Sequence, residues 1–106
     1  MLYFPQTMPK IRHISALLET HELIDEATDA HAFIAHARGG MVTRFEVGGV
    51  PVLYLDPKTL DDPSQSVRGG IPILFPIAGK LPGDQYEHGG RTYVMKQHGF
   101  ARNLPW

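Results

Sequence analysis

All eleven glycines and most of the nine prolines of this 106-residue chain lie beyond residue 38. In a helix interior glycine costs about 1 kcal/mol and proline about 3 kcal/mol relative to alanine. The greater part of the chain is therefore divided into short extended runs separated by turns, which favours strands. The clearest unit is Met41 to Val47, then Gly48-Gly49, then residues 50–55, where β-branched and aromatic residues flank a two-glycine turn. This predicts a β-hairpin. In its first arm Met41, Thr43, Phe45 and Val47 alternate with Val42, Arg44 and Glu46, which implies one largely apolar face. A second hairpin is expected from residues 84–87, a turn at His88-Gly89-Gly90, and residues 91–95. Residues 56–66, rich in Asp, Pro and Ser, read as a loop. Between residues 11 and 37, Ile11, Ile14, Leu17, Leu18 and Leu23 fit a helical stripe, while residues 32–36 fit a strand; the context favours strands.

A chain of this length makes one domain with a modest core. Its 42% hydrophobic and 20% charged residues and formal net charge of -1 describe an ordinary globular chain. Ten Lys and Arg are interleaved with eleven Asp and Glu, so no basic run points to nucleic acid. With no cysteine there is neither a disulfide framework nor a thiolate site, which fits a cytoplasmic location. Residues 1–10 lack the basic start and long apolar stretch of a signal peptide. No segment approaches the roughly 18 apolar residues of a membrane span.

Several apparent motifs fail. Gly79-Lys80 resembles the end of a P-loop, but Leu74 stands where the first glycine belongs and Leu81 follows the lysine. The pairs Gly69-Gly70 and Gly89-Gly90 do not build G-x-G-x-x-G. His13, His21, His31 and His36 show no metal-ligand spacing, so no metal is expected.

His98 is set among Gln97, Gly99, Arg102 and Asn103. Hydrogen-bonding neighbours, with Gly99 removing side-chain bulk where a ligand could approach, suit a ligand contact, and the same residues suit a turn-capping histidine. Arg68 precedes two glycines and the apolar run 71–75, which places its guanidinium at the mouth of a strand. There it could clamp a phosphate or a vicinal diol, or stand solvated. Lys80 and Arg102 carry the same two alternatives. Phe75, Tyr86, Phe100 and Trp106 read as core or pocket wall.

At Arg68-Gly-Gly-Ile-Pro-Ile-Leu-Phe-Pro76, Gly79-Lys80 and Gln97-His-Gly-Phe-Ala-Arg-Asn-Leu-Pro-Trp106 the chain resembles the aldose 1-epimerase, or galactose mutarotase-like, superfamily, and most closely its hexose-6-phosphate 1-epimerase branch. The resemblance extends more weakly back to about residue 25, through Gly39-Gly40, Gly48-Gly49 and Tyr54-Leu55. It implies an all-β fold, an antiparallel β-sandwich, and interconversion of the α and β anomers of an aldose or hexose 6-phosphate without a cofactor. The partner implied is a small sugar or sugar phosphate. By the same resemblance His98 is a catalytic-site histidine that orients or protonates sugar oxygens. Arg68, Gln97 and Arg102 contact substrate, and Lys80 lies with them. The family's principal acid histidine, its sugar-binding aspartate and its basic glutamate lie on later strands and have no counterpart here, so the chain looks like an N-terminal fragment. Two other readings stay open: a carbohydrate- or phosphosugar-binding module without turnover, and a truncated product whose open sheet edges favour pairing with another chain.

Overall fold

A computed structural model describes residues 8–15 and 18–104, Asn103 by its backbone alone. Its main element is a five-stranded antiparallel sheet in the order β1 (Lys10–Ile14), β2 (Thr20–Asp25), β3 (Ala30–Ala35), β4 (Met41–Val47), β5 (Val50–Pro51). A separate two-stranded sheet pairs β6 (Gln85–His88) with β7 (Arg91–Val94). The all-β antiparallel class read from the sequence is found, and strands occupy the described part of the ambiguous 11–37 region. Among the described residues no helix is long and apolar enough to cross a membrane.

The local chemistry explains both the agreements and the departures. Gly48 and Gly49 have φ of 57° and 74°, and Gly89 and Gly90 have 57° and 73°, the double left-handed conformation of a two-residue hairpin turn. The second arm of the first hairpin is shorter than the expected 50–55. Only Val50–Pro51 is regular strand; Val52 N–H still donates to Phe45 O (2.9 Å), and Pro51, opposite Glu46 on the edge strand, turns the side without an N–H outward. Tyr54 and Asp56 bond instead to the segment at Arg68–Gly70, through Gly70 N–H to Tyr54 O (2.7 Å) and Asp56 N–H to Arg68 O (2.8 Å).

The expected alternation in β4 is also interrupted. Phe33 pairs with Arg44 and Ile34 with Val42, so Thr43 is an extra residue, a β-bulge. Met41 is consequently buried while Val47 is 41% exposed. The expected loop at 56–66 contains a short helix, α1 (Pro57–Asp61), started by the Asp56 side chain accepting from Lys58 N–H and by proline in the first turn. The apolar run 71–75 is not a regular strand. It touches its neighbours at single bridges, Val42 with Ile71 and Phe75 with Gly99.

Among the described residues the buried apolar ones are Ala35, Met41 and Ala101, and no large side chain is fully buried. The accessible surface is 8025 Å², against about 5,900 Å² expected for a compact chain of this mass. The radius of gyration is 17.8 Å, against about 13 Å for a compact domain of this length. The main sheet is thus a single open layer, in keeping with part of a sandwich.

Candidate functional site

The site is built on the glycine pair after Arg68. A Cβ on Gly69 would lie 2.2 Å from Tyr54 O, and one on Gly70 would lie 2.6 Å from Val42 O. Only glycines let this segment thread between β4 and the 54–56 stretch. Its backbone is tied by Ile71 N–H to Val42 O (2.9 Å), Val42 N–H to Ile71 O (3.0 Å) and the bonds to Tyr54 and Asp56. Arg68 N–H also donates to Thr59 Oγ1 (2.9 Å). The backbone of Arg68 is therefore held on both sides. Its side chain is exposed and has no hydrogen bond or ion pair among the described residues. A guanidinium on so fixed a backbone is available to an anion or a diol.

His98 is held with equal definition. Its N–H donates to Gly79 O (2.9 Å) and its Nδ1 lies 2.6 Å from Ala78 O. A carbonyl oxygen can only accept, so Nδ1 carries the proton and the neutral ring offers Nε2 as an acceptor. His98 is a non-glycine residue at φ 66°, an uncommon conformation that needs support from its surroundings. Gly99 corrects an expectation. Its missing side chain does not make room for a ligand, because a Cβ there would lie 2.2 Å from Phe75 O. The Phe75 carbonyl fills that space and accepts from Phe100 N–H (2.9 Å) and Ala101 N–H (3.2 Å). Phe75 and Phe100 meet edge to face at 5.8 Å. They are 53% and 50% exposed, so they are not core residues.

Arg102 is half-buried and its Nη2 donates to Val67 O (3.3 Å), which brings its side chain against the residue preceding Arg68. It lines a concavity of about 360 Å³ together with Arg38, Met41, Gln65, Val67 and Ile73. Lys80 Nζ stands 4.0 Å from Asp84 Oδ1. Gln97 is exposed and has no side-chain partner among the described residues. Two of the expected pairs are thus neighbours through the backbone: Arg102 beside Arg68 at Val67, and His98 beside Lys80 at Ala78 and Gly79. The Phe75 to Gly99 bridge joins the two blocks. Trp106 lies outside the described residues.

Sequence reasoning missed Arg38. Its Nη2 donates to Thr59 O (3.1 Å), Asp62 O (3.3 Å) and Gln65 O (3.0 Å). One signal was present: Arg38-Gly39-Gly40 repeats the Arg-Gly-Gly of residues 68–70. Beside it the Asp62 carboxyl lies below its ordinary range because Ser64 and Gln65 donate to it, with burial opposing.

Away from this corner, Glu22 is 2% exposed in the middle of β2. Burial pushes its carboxyl up, but the hydrogen bonds and charges of His31 and Arg12 outweigh that and hold it low. His31 Nδ1 lies 2.8 Å from Glu22 and its Nε2 lies 3.2 Å from Asp29, which raises its affinity for a proton. With both nitrogens occupied, His31 is a sheet-stabilising ion pair. The rings of His13, His21 and His36 form a row with centroids 5.1 and 5.4 Å apart. No group of three His, Asp or Glu in metal-holding geometry is present among the described residues.

No family model matches the chain. A protein of Cenchrus ciliaris named "Putative glucose-6-phosphate 1-epimerase" is 39% identical over 69 residues, 64% of this chain and 18% of that protein. A Salmonella typhimurium protein of the same name is 30% identical over 105 residues, 93% of this chain and 33% of its own length. The crystal structure of the Slr1438 protein of Synechocystis sp. PCC 6803 superposes with a TM-score of 0.70 at 46% identity, covering 100% of this chain and 34% of that one. The chain spans a third or less of the curated relatives it matches. It is thus similar, over that part of their length, to proteins of the glucose-6-phosphate 1-epimerase branch of the aldose 1-epimerase superfamily.

Proposed function

We propose that the protein carrying this chain interconverts the α and β anomers of a hexose 6-phosphate, and that this chain supplies the sugar-holding side of the cleft. The observation that carries the reading is that two residues of the matched blocks are each fixed through one group while another is left without a partner among the described residues. Arg68 has a tied backbone and a free guanidinium. His98 has Nδ1 committed to Ala78 O, which leaves Nε2 for a ligand. The names of the relatives support the same chemistry.

In the reaction the O1–H proton passes to a base while the C1–O5 bond breaks. The bonding electrons go to O5, which takes a proton from an acid; C1, now an aldehyde, rotates and the steps reverse. Arg68 and Arg102 balance the phosphate or hold hydroxyls, Gln97 and Lys80 add polar contacts, and His98 orients a sugar hydroxyl by accepting its hydrogen bond at Nε2, a nitrogen that can protonate a sugar oxygen only when the ring carries a second proton. We assign the principal acid and base to the part of the longer relatives' fold that this chain does not span, and the protein to the cytoplasm.

Polarimetry tests this on the full-length protein. The rotation of freshly dissolved α-glucose 6-phosphate should relax faster than in buffer, with the acceleration largely lost in Arg68→Ala and His98→Ala. A relaxation rate equal to that of buffer would refute the proposal. Saturable glucose 6-phosphate binding without acceleration would support a phosphosugar-binding module instead.

A further inference from the structure

The site rests on a loop whose hydrogen bonds before Arg68 are mostly local, the Asp62 carboxylate accepting from Ser64 N–H, Ser64 Oγ and Gln65 Nε2. Helix α1 has five residues and ends on Asp62 in an extended conformation with no glycine cap, so its last carbonyls lack helical partners. The chain from there to Val67 leads directly into Arg68 and makes few regular backbone bonds; Gln65 N–H to Asp62 O is one. A loop of this kind would ordinarily exchange among conformations and carry Arg68 with it.

Arg38 meets this need from the other side. It stands in the 3-10 turn His36–Arg38 that follows β3, and Gly39 closes the turn in the left-handed conformation at φ 73°. Gly40 N–H bonds back to His36 O. From this anchored base one nitrogen, Nη2, reaches the carbonyls of Thr59, Asp62 and Gln65. Two hydrogens shared among three acceptors gather the helix end and the loop around a single charged donor. Thr59, 5% exposed, carries the connection onward, since its Oγ1 donates to Asp56 O (2.9 Å) and accepts Arg68 N–H (2.9 Å). Arg102 completes the arrangement by taking Val67 O.

We propose that Arg38 is a positioning residue: it clamps the 59–65 carbonyls to the end of β3 and thereby fixes the Arg68 and Arg102 guanidinium groups for a sugar phosphate. The inference rests on the reading of Arg68 and Arg102 as substrate contacts. It adds a residue that touches no substrate and acts through Thr59 and Val67.

Amide hydrogen exchange and glucose 6-phosphate titration of the full-length protein decide it. In Arg38→Met, exchange at Leu60, Gln65 and Arg68 should accelerate about ten- to hundred-fold, the value of losing charge-assisted bonds. Leu23 and Phe33 in the sheet should not change. Affinity for glucose 6-phosphate should fall about ten-fold by the same reasoning, and Arg38→Lys, with three donors on a shorter reach, should recover part of both effects. Thr59→Val should accelerate the Arg68 amide while leaving Gln65 unchanged, which tests the Thr59 link; if Arg38→Met does not fold, exchange at Gln65 and Arg68 in Arg38→Lys decides the matter, with parent-like rates at the Arg68 amide expected only partly to return. An unchanged Arg68 amide in these variants overturns the inference, as does a uniform acceleration that includes the sheet. If the unsubstituted protein does not bind glucose 6-phosphate, the functional reading fails, and the exchange data still judge whether Arg38 orders Arg68.

Discussion

Gly99→Ala is the most demanding test of how the two sequence blocks are joined. A Cβ at this position would lie 2.2 Å from Phe75 O, 2.6 Å from Phe75 C and 2.7 Å from Pro76 Cδ, and the residue has φ 67°. The obstacles include backbone atoms, so no rotamer change relieves the clash. The left-handed conformation alone costs an alanine about 1–2 kcal/mol. Moving the Phe75 carbonyl away also weakens the bonds it accepts from Phe100 and Ala101, at about 1 kcal/mol each. The sum is about 3–4 kcal/mol, a large share of the roughly 5–15 kcal/mol stability of a domain. Gly89→Ala is the matched control: its φ is 57° but nothing lies within 4 Å of its Cβ position, so only the conformational cost of about 1–2 kcal/mol applies. Urea unfolding of both variants measures the difference, expected to be about 2 kcal/mol, the worth of the two bonds. Gly99→Ala should also weaken glucose 6-phosphate binding, because His98 is the preceding residue, whereas Gly89→Ala should not. Equal destabilisation by the two substitutions would refute the close approach of Phe75 to Gly99.

Arg68→Ala should abolish glucose 6-phosphate binding yet leave the urea midpoint within about 0.5 kcal/mol of the parent, since its stabilising bonds are made by the backbone; a destabilised protein would show that the guanidinium is structural. His31 holds its proton more tightly than usual through Glu22 and then Asp29, with burial opposing. Its contribution is full below its ordinary value of 6.5 and is lost as pH rises through the raised one, so His31→Gln should flatten the fall in stability that sets in above pH 6.5. Unfolding midpoints that keep their full slope in that variant would remove His31 as the cause. Tyr86 and Tyr93 stack at 5.3 Å across the second hairpin, and Tyr93→Ala should cost about 0.5–1.5 kcal/mol beyond lost area, read as faster exchange of the Met95 amide. No change there would mean the stack contributes nothing to the hairpin.

Both hairpin turns were legible because a two-residue turn needs two residues at positive φ, and Gly-Gly supplies them without help from elsewhere. The bulge at Thr43 was not legible. It depends on where β3 sets its register against β4, and the pattern of β4 alone is a clean alternation. Helix α1 could have been read from Asp56-Pro57, a cap followed by proline, but the density of turn formers around it resembled a loop. In the site, Arg68 and His98 stand out as residue types beside glycines, and Arg102 follows His98 in the same block. Arg38 carried only the echo of a second Arg-Gly-Gly, and its work depends on carbonyls that any sequence would provide.

The sequence by itself determined the extended, turn-divided character of the chain and the two blocks that relate it to the epimerases, because glycine, proline and side-chain chemistry act at the residue that carries them. Tertiary structure decided what those residues meet. The space at Gly69 and Gly99 is taken by the backbone of Tyr54 and Phe75. The His98 tautomer is set by Ala78 O, 20 residues away. Arg38 and Arg102 find their carbonyls up to 27 and 35 residues away. Carbonyl groups are identical at every position, so only the folded path of the chain can choose which of them a guanidinium or an imidazole meets.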